Sequence, residues 1–240
     1  MRIAVFSDIH GNFLALESVL ADIKLAGVDQ LVCLGDAVQG GPQPAETVAL
    51  LRELACPIVM GNSDDWLLTG ITTSSLTPLQ YQVRDWSLSK LSETDREFIA
   101  RFPPIIEMEV SPDKRLLCFH GSPRSYDDNI LPTTSDAELQ GLLGDDLAHI
   151  IYAGGHVHSQ LLRRIGDTFY FRPGSVGRVY DRNRIKTGFR LDPWAEYAIL
   201  TVAGARLGLE FRRVPLDVES LRAIWASTAR PDAAEEASLY

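Results

Sequence analysis

The sequence predicts an α/β fold in which two β-sheets pack face to face with helices outside. Three observations carry that expectation. Residues 1–60 alternate short apolar runs with helical patterns in β-α-β-α-β order, which implies parallel strands joined by right-handed crossovers. Beyond Pro104 the pattern turns to short strands, several joined by tight turns, so this half reads as a mixed or antiparallel sheet. The chain has 240 residues, 45% of them hydrophobic, enough for one large core. A single domain is expected over residues 1–228, with a helical insertion at about 65–103 and a flexible C-terminal tail at 229–240.

Residues 3–6, Ile-Ala-Val-Phe, read as a buried strand. After Gly11, Leu14, Leu16, Val19, Leu20 and Ile23 recur at helical spacing, and Gly27 ends that helix. A second strand at 31–34 leads to Asp36 and a loop rich in Gly and Pro, then to a helix through Val48, Leu51 and Leu54. Residues 58–60 supply a third strand. Sites in such folds assemble at the carboxyl ends of strands, where Asp8, Asp36 and Asn62 fall.

Residues 65–103 break this rhythm, with Trp66, Trp86 and a Thr/Ser cluster at 72–75. Helices are expected near 79–91 and 92–101, the second capped by Ser92 with Asp95 three residues on. The insertion either lies beside the mouth of a site or forms a packed helical pair without substrate contact. Strands follow at 105–110, 115–119, 150–153, 161–164, 169–171, 197–202 and 207–214. A helix at 217–225 precedes residues 230–240, which read as a frayed acidic tail, and the sequence contains no internal repeat.

Lys and Arg number 23 against 32 Asp and Glu, a net charge of -9 that repels polyanions at long range. Stable nucleic-acid binding is therefore not expected, whereas a small phosphorylated molecule or nucleotide is compatible. Cys33, Cys56 and Cys118 lie in apolar stretches without CxxC spacing and read as buried free thiols. Met1 and Arg2 lead straight into the first strand, without the apolar segment of a signal peptide, and no run approaches the roughly 18 apolar residues of a membrane span. A cytoplasmic location without membrane association is expected.

Chemistry-bearing residues recur just after apolar runs: Asp8-Ile9-His10, Gly35-Asp36, Gly61-Asn62, His120-Gly121 and Gly155-His156-Val157-His158. In an extended segment residues i and i+2 point the same way, so Asp8 with His10, and His156 with His158, can each aim two ligands at one pocket. A carboxylate such as Asp36 can bridge two cations about 3.5–4 Å apart, the spacing at which they polarise a phosphoryl group. Asn62 offers a neutral carbonyl oxygen. Singly, each motif is a common turn or capping element. Four of the five histidines occupy these motifs, however, which independent structural roles do not explain, and only His149 stands apart with no role assigned.

This ordered set resembles the calcineurin-like metallophosphoesterase superfamily over residues 8 to about 178. Pro173-Gly174-Ser175-Val176-Gly177 resembles a loop of its small bacterial and archaeal phosphodiesterase branch. The resemblance implies a four-layer αββα sandwich with two mixed sheets flanked by helices. It also implies a dinuclear phosphohydrolase with Asp8, His10 and His158 on one metal, Asn62, His120 and His156 on the other, and Asp36 bridging. A metal-bridging hydroxide would attack phosphorus. Mixed His, Asp and Asn ligation suits manganese, iron, zinc, nickel or cobalt without choosing among them, and manganese is the first expectation.

Asp36, Asn62, Ser63 and Asp64 form the candidate catalytic set. Many members of the family carry His where this chain has Ser63. A serine is too weak an acid to protonate a leaving group near neutral pH, which predicts a preference for acidic leaving groups. Its hydroxyl either bonds a phosphate oxygen, with Asp64 as a partner behind it, or belongs to a turn residue only. Asn62, Arg124 and Arg178 are the candidate substrate-binding residues, with Arg172 and the basic run at 178–186 as further specificity elements. Relatives commonly have Asn in place of Arg172, so no role transfers there, and from Arg182 onward the run also reads as a solvated charged loop. The expected activity is hydrolysis of a phosphodiester or nucleotide-type ester. Phosphomonoester or phosphoprotein hydrolysis, or a non-catalytic interaction role on the same fold, are the alternatives.

Overall fold

The computed structural model describes residues 1–72, 75–144, 150–166, 168–181, 188–204 and 206–240. The chain begins with β1 (Arg2–Phe6), α1 (Phe13–Ala26), β2 (Gln30–Cys33), α2 (Pro44–Leu54) and α3 (Asn62–Thr69). It continues through α4 (Pro78–Lys90), α5 (Glu93–Ile99), β3 (Ile106–Ser111), β4 (Lys114–Cys118), α6 (Asp136–Leu143) and β5 (Ile150–Ala153). It ends with β6 (Gln160–Ile165), β7 (Thr168–Pro173), β8 (Trp194–Ala203), β9 (Arg206–Pro215), α7 (Val218–Ser227) and α8 (Ala233–Ala237).

The strands form two sheets, in the orders β2-β1-β8-β9 and β3-β4-β5-β7-β6. Both are mixed. β1 runs parallel to β2 and antiparallel to β8, while β4-β5 and β5-β7 are parallel between antiparallel outer pairs. The two-residue side-chain period sorts each central strand into two cores. Ala4, Phe6, Tyr197 and Ile199 pack with Leu16 and Val19 of α1 and with Val48 and Leu51 of α2. Ile3, Val5, Ala198 and Leu200 face the other way, onto Leu116, Cys118, Ile151 and Phe171 of the second sheet. Beyond that sheet, Tyr152 and Tyr170 pack on Leu139 and Leu143 of α6. The result is a helix-sheet-sheet-helix sandwich, the four-layer architecture that the resemblance implies.

Several elements differ from the sequence reading. Residues 58–60 make one parallel bridge, Cys33 to Ile58, rather than a strand; Pro57 there has no N–H to extend the ladder. The short helix α3 begins at Asn62 itself, so the Gly61-Asn62 motif lies on a first helical turn. Helix α6 interrupts the run of strands expected after Pro104, and Ser135 and Glu138 form a full capping box in front of it. Ser92 and Asp95 do cap α5, as expected.

The largest difference is at the C-terminus. Instead of fraying, residues 230–240 carry α8 and pack on α7 through Leu221, Trp225 and Ala233. The Arg230 guanidinium lies 4.9 Å from the centre of the Trp225 ring, Leu191 N–H donates to Leu239 O, and Tyr240 Oη donates to Gly177 O. Charge and small residues suggested a tail because the arginine that holds Glu236, Arg178, lies far away in sequence. The cysteines are free, with Cys33 and Cys118 buried and Cys56 half-buried. No helix among the described residues is long and apolar enough to cross a membrane.

Candidate metal centre

Strand ends from both sheets bring the motif residues to one place. β1 delivers Asp8 and His10, β2 delivers Asp36, β4 delivers His120, and β5 delivers His156 and His158. Asp8, His10, Asp36, His156 and His158 have φ of 55, 50, 51, 71 and 58°, left-handed values that five non-glycine side chains adopt at a cost of about 1–3 kcal/mol each. Ala55 is the remaining non-glycine residue with positive φ among those described. Strain is thus concentrated where the ligands turn inward. Gly61 is required as well, because a Cβ there would collide with the backbone and carboxylate of Asp36.

Two groups result, Asp8 with His10 and His158, and Asp36 with His120 and His156, the donor atoms in each lying within 4.8 Å of one another. Asn62 joins the second group, its Oδ1 lying 3.0 Å from His120 Nε2 and 3.1 Å from His156 Nδ1. Asp36 faces both, with Oδ1 3.4 Å from His120 Nε2 and Oδ2 3.7 Å from His10 Nε2. All seven predicted ligands therefore meet at one centre.

The donor chemistry fits a pair of cations. His10, His120 and His158 each direct Nδ1 at a backbone carbonyl, of Gln39, Leu34 and Arg178, at 2.7, 2.7 and 2.8 Å. A carbonyl only accepts, so each Nδ1 carries a hydrogen, which leaves Nε2 as the atom each ring can offer to a cation. His10 Nε2 and His158 Nε2 nevertheless stand 3.1 Å apart, a repulsive pairing that a proton or a cation between them relieves. Asp8 Oδ1, buried beside them, has no hydrogen-bond partner among the described residues. Such an orphaned carboxylate oxygen is what a metal ligand leaves when its ion is removed.

The charges lean the same way. Burial pushes Asp8 up to about 7, with the nearby Asp36 carboxylate adding to the rise and His120 opposing it. Burial also raises Asp36, but His120, His10 and His156 outweigh it and hold that carboxyl well below the usual range. His10 and His158 are pushed down, chiefly by burial. At His120, by contrast, burial is outweighed by Asp36, which lifts the ring to about 10, so it holds a proton that a bound cation would displace. Two carboxylates and the neutral His10 and His158 leave the site arranged to receive positive charge.

The other candidates divide. Ser63 sits at the site, donating Oγ to Asp36 Oδ2 and N–H to Asp36 Oδ1, both at 2.8 Å. Asp64 does not back Ser63. Its buried carboxylate accepts from Ala37 and Val38 N–H at 3.0–3.1 Å, fixing the loop that follows Asp36, and burial with Asp36 nearby raises its pKa to about 7. Arg172 is fully buried and clamps Ile130 O and Ser159, so it is a structural residue rather than a specificity element. Arg124 is exposed and lies outside the lining of the cleft. Arg178 does line the cleft, with its guanidinium paired to Glu236. Residues 182–187 of the basic run, residues 73–74 of the Thr/Ser cluster and His149 lie outside the described residues.

Above the centre opens a cleft of about 480 Å³ with His10, Ser63 and His158 on its floor. Trp66 of α3 and Leu79, Gln80 and Val83 of α4 form one wall. Tyr180 and Phe189 line it too, as do Arg230, Asp232, Glu235 and Glu236 of the C-terminal segment. The sequence reading missed this segment and Gln39, whose signals are tertiary: Gln39 contributes its backbone carbonyl to His10 and a side chain to the cleft.

Comparison with known proteins bears on the same residues. The calcineurin-like phosphoesterase superfamily domain matches residues 1–194. An uncharacterized protein of Methanocaldococcus jannaschii is 35% identical over 122 residues, 51% of this chain, and the chain spans half the length of that relative. Phosphodiesterase YfcE of Escherichia coli K12 is 26% identical over 188 residues, 73% of this chain and 79% of its own. The crystal structure of a metallophosphoesterase from Sphaerobacter thermophilus superposes with a TM-score of 0.76 at 25% identity, covering 100% of this chain and 98% of that one. With its two-sheet sandwich and its converging ligand motifs, the chain belongs to the calcineurin-like phosphoesterase superfamily.

Proposed function

We propose that this protein is a dinuclear metal-dependent phosphohydrolase acting on a phosphodiester or nucleotide-type phosphate ester. One observation carries the reading: Asp36 turns one carboxylate oxygen to each of two histidine groups, of which His10 with His158 lines a cleft. When bound, the two cations would supply Lewis acidity and an activated water at neutral pH. Asp8, His10 and His158 would hold one and Asn62, His120 and His156 the other, with manganese taken first among the metals that mixed oxygen and nitrogen donors accept.

The chain's own residues do the rest. The three backbone carbonyls fix Nδ1 of His10, His120 and His158 as the donor, so each Nε2 is aimed inward before any ligand arrives. Ser63 orients Asp36 through two hydrogen bonds. Because its hydroxyl is committed there and is a weak acid, the leaving group departs without strong protonation, and esters of acidic alcohols are the better substrates. The phosphodiesterase among the relatives supports diesters. The three free cysteines support a reducing, cytoplasmic setting.

Elemental analysis of the purified protein, followed by hydrolysis assays of mono- and diesters with each metal added back, tests the reading. Two equivalents of metal and diester hydrolysis that a chelator abolishes are expected. Asp36→Ala should lose both bound metal and turnover, and full activity in that variant would remove the bridging assignment. A protein inert with every metal would favour an interaction role on this fold.

A further inference from the structure

Two arginines line the cleft among the described residues, and both are already paired. Arg178 donates Nη1 and Nη2 to the two carboxylate oxygens of Glu236, at 2.6 and 3.2 Å. Arg230 donates Nε and Nη2 to Asp232 at 2.6 and 2.8 Å and Nη1 to Gly41 O at 3.2 Å. Both carboxylates come from the C-terminal segment and line the same cleft as His10 and His158. Among the described residues, one buried polar side chain of the cleft wall with an uncommitted atom is neutral: Gln39 is 5% exposed, and its Oε1 has no partner there.

This matters for the charge that the cleft accepts. A phosphodiester carries one negative charge over two non-bridging oxygens, whereas a monoester near neutral pH carries close to two over three. The third oxygen calls for one more strong donor, and a guanidinium fork is well suited to supply it. Here Glu236 occupies that fork and sets its own charge at the rim. Trp66, Tyr180 and Phe189 offer apolar faces instead, suited to an uncharged, ring-bearing alcohol moiety.

We infer that Glu236 is a specificity-determining residue: by occupying Arg178 and adding a carboxylate to the cleft wall, it selects phosphodiesters against dianionic monoesters. The inference rests on the phosphoesterase reading and deepens it. Glu236→Gln keeps the shape, removes the charge and frees Arg178 to turn to a ligand.

The test compares p-nitrophenyl phosphate with bis(p-nitrophenyl) phosphate, which share a leaving group, on the manganese-loaded protein. The wild type should favour the diester. Glu236→Gln should raise the monoester-to-diester ratio of kcat/KM about tenfold, mainly through KM for the monoester, as one recovered charge-assisted hydrogen bond implies. Adding Arg178→Gln to that variant should return the ratio to the wild-type value. Calorimetric Kd values for phenyl phosphate and diphenyl phosphate should shift in the same sense without any turnover. If Glu236→Gln does not fold, Glu235→Gln, an exposed carboxylate lining the same cleft, should raise the ratio roughly twofold, as expected for a screened charge.

A folded Glu236→Gln protein with unchanged ratio and unchanged Kd values overturns the inference and leaves the phosphoesterase reading intact, as does a wild type that prefers the monoester. A wild type that hydrolyses neither ester but shows the shifted binding preference overturns the phosphoesterase reading and leaves the charge selection standing. Failure to bind or hydrolyse either compound overturns both.

Discussion

His120 lies 3.4 Å from Asp36 in a position closed to solvent. Burial alone would lower its pKa, but Asp36, with Asp8 beyond it, lifts it from the ordinary 6.5 to about 10. In the metal-free protein the folded state therefore keeps a proton between those values that the unfolded chain has released. The stability this gives is complete below pH 6.5 and is lost as pH rises through about 10. The melting temperature of chelator-treated protein should fall between about pH 7.5 and 9.5, and His120→Asn should flatten that slope. A level wild-type profile would disprove the proton assignment. Asp64 makes a second prediction at this scale. Truncating it to Ala strands two buried N–H groups, so Asp64→Ala should cost about 1–3 kcal/mol in denaturant unfolding. Lost hydrolysis with undiminished stability would instead make Asp64 a participant in the chemistry.

Among the elements, the C-terminal segment behaves as a strap. Tyr240 bonds Gly177 O, Glu236 holds Arg178, and Arg178 O in turn accepts from His158 Nδ1. Removing residues 230–240 should therefore lower the melting temperature by roughly 5 °C or more, given the 2–4 °C per kcal/mol typical of chains this long. It should also weaken metal uptake at the group containing His158, read by titration with manganese. Unchanged stability after truncation would restore the flexible tail expected from the sequence. That expectation failed for a specific reason: a short helix of Ala and Glu has little tendency to form alone, and its stabilising partners, Trp225, Arg178 and Gly177, belong to other elements. Helix α6 is a different case, since its Ser135 to Glu138 capping box is a local signal legible in the sequence.

At the scale of the molecule, one inter-sheet core ties the two halves of the ligand set together. Val5 and Leu34 lie in it, close in sequence to Asp8 and Asp36, and so do Cys118 and Ala153, close to His120 and His156. Phe171 is fully buried between the sheets, and Phe171→Ala should destabilise the protein by about 3–5 kcal/mol in denaturant melts. Because the sheets each carry part of the site, metal affinity should fall in the same variant. Loss of stability with unaltered metal binding would show that the site is held by its loops alone.

The sequence by itself determined the sandwich and the seven candidate ligands, because both are written in local patterns: alternating apolar runs, and Asp, Asn or His beside Gly just past them. Hydrophobic period fixes which face of β1 and β8 each residue occupies, and strand ends fix where Asp8, Asp36, His120 and His156 can point. Only the tertiary structure decided which arginine reaches the cleft, what holds it, and that residues 230–240 form a wall. Arg124, Arg172 and Arg178 look alike in sequence, yet one is exposed, one is buried as a clamp and one is paired with Glu236. A charged side chain takes its role from its partners, and these partners lie up to 58 residues away.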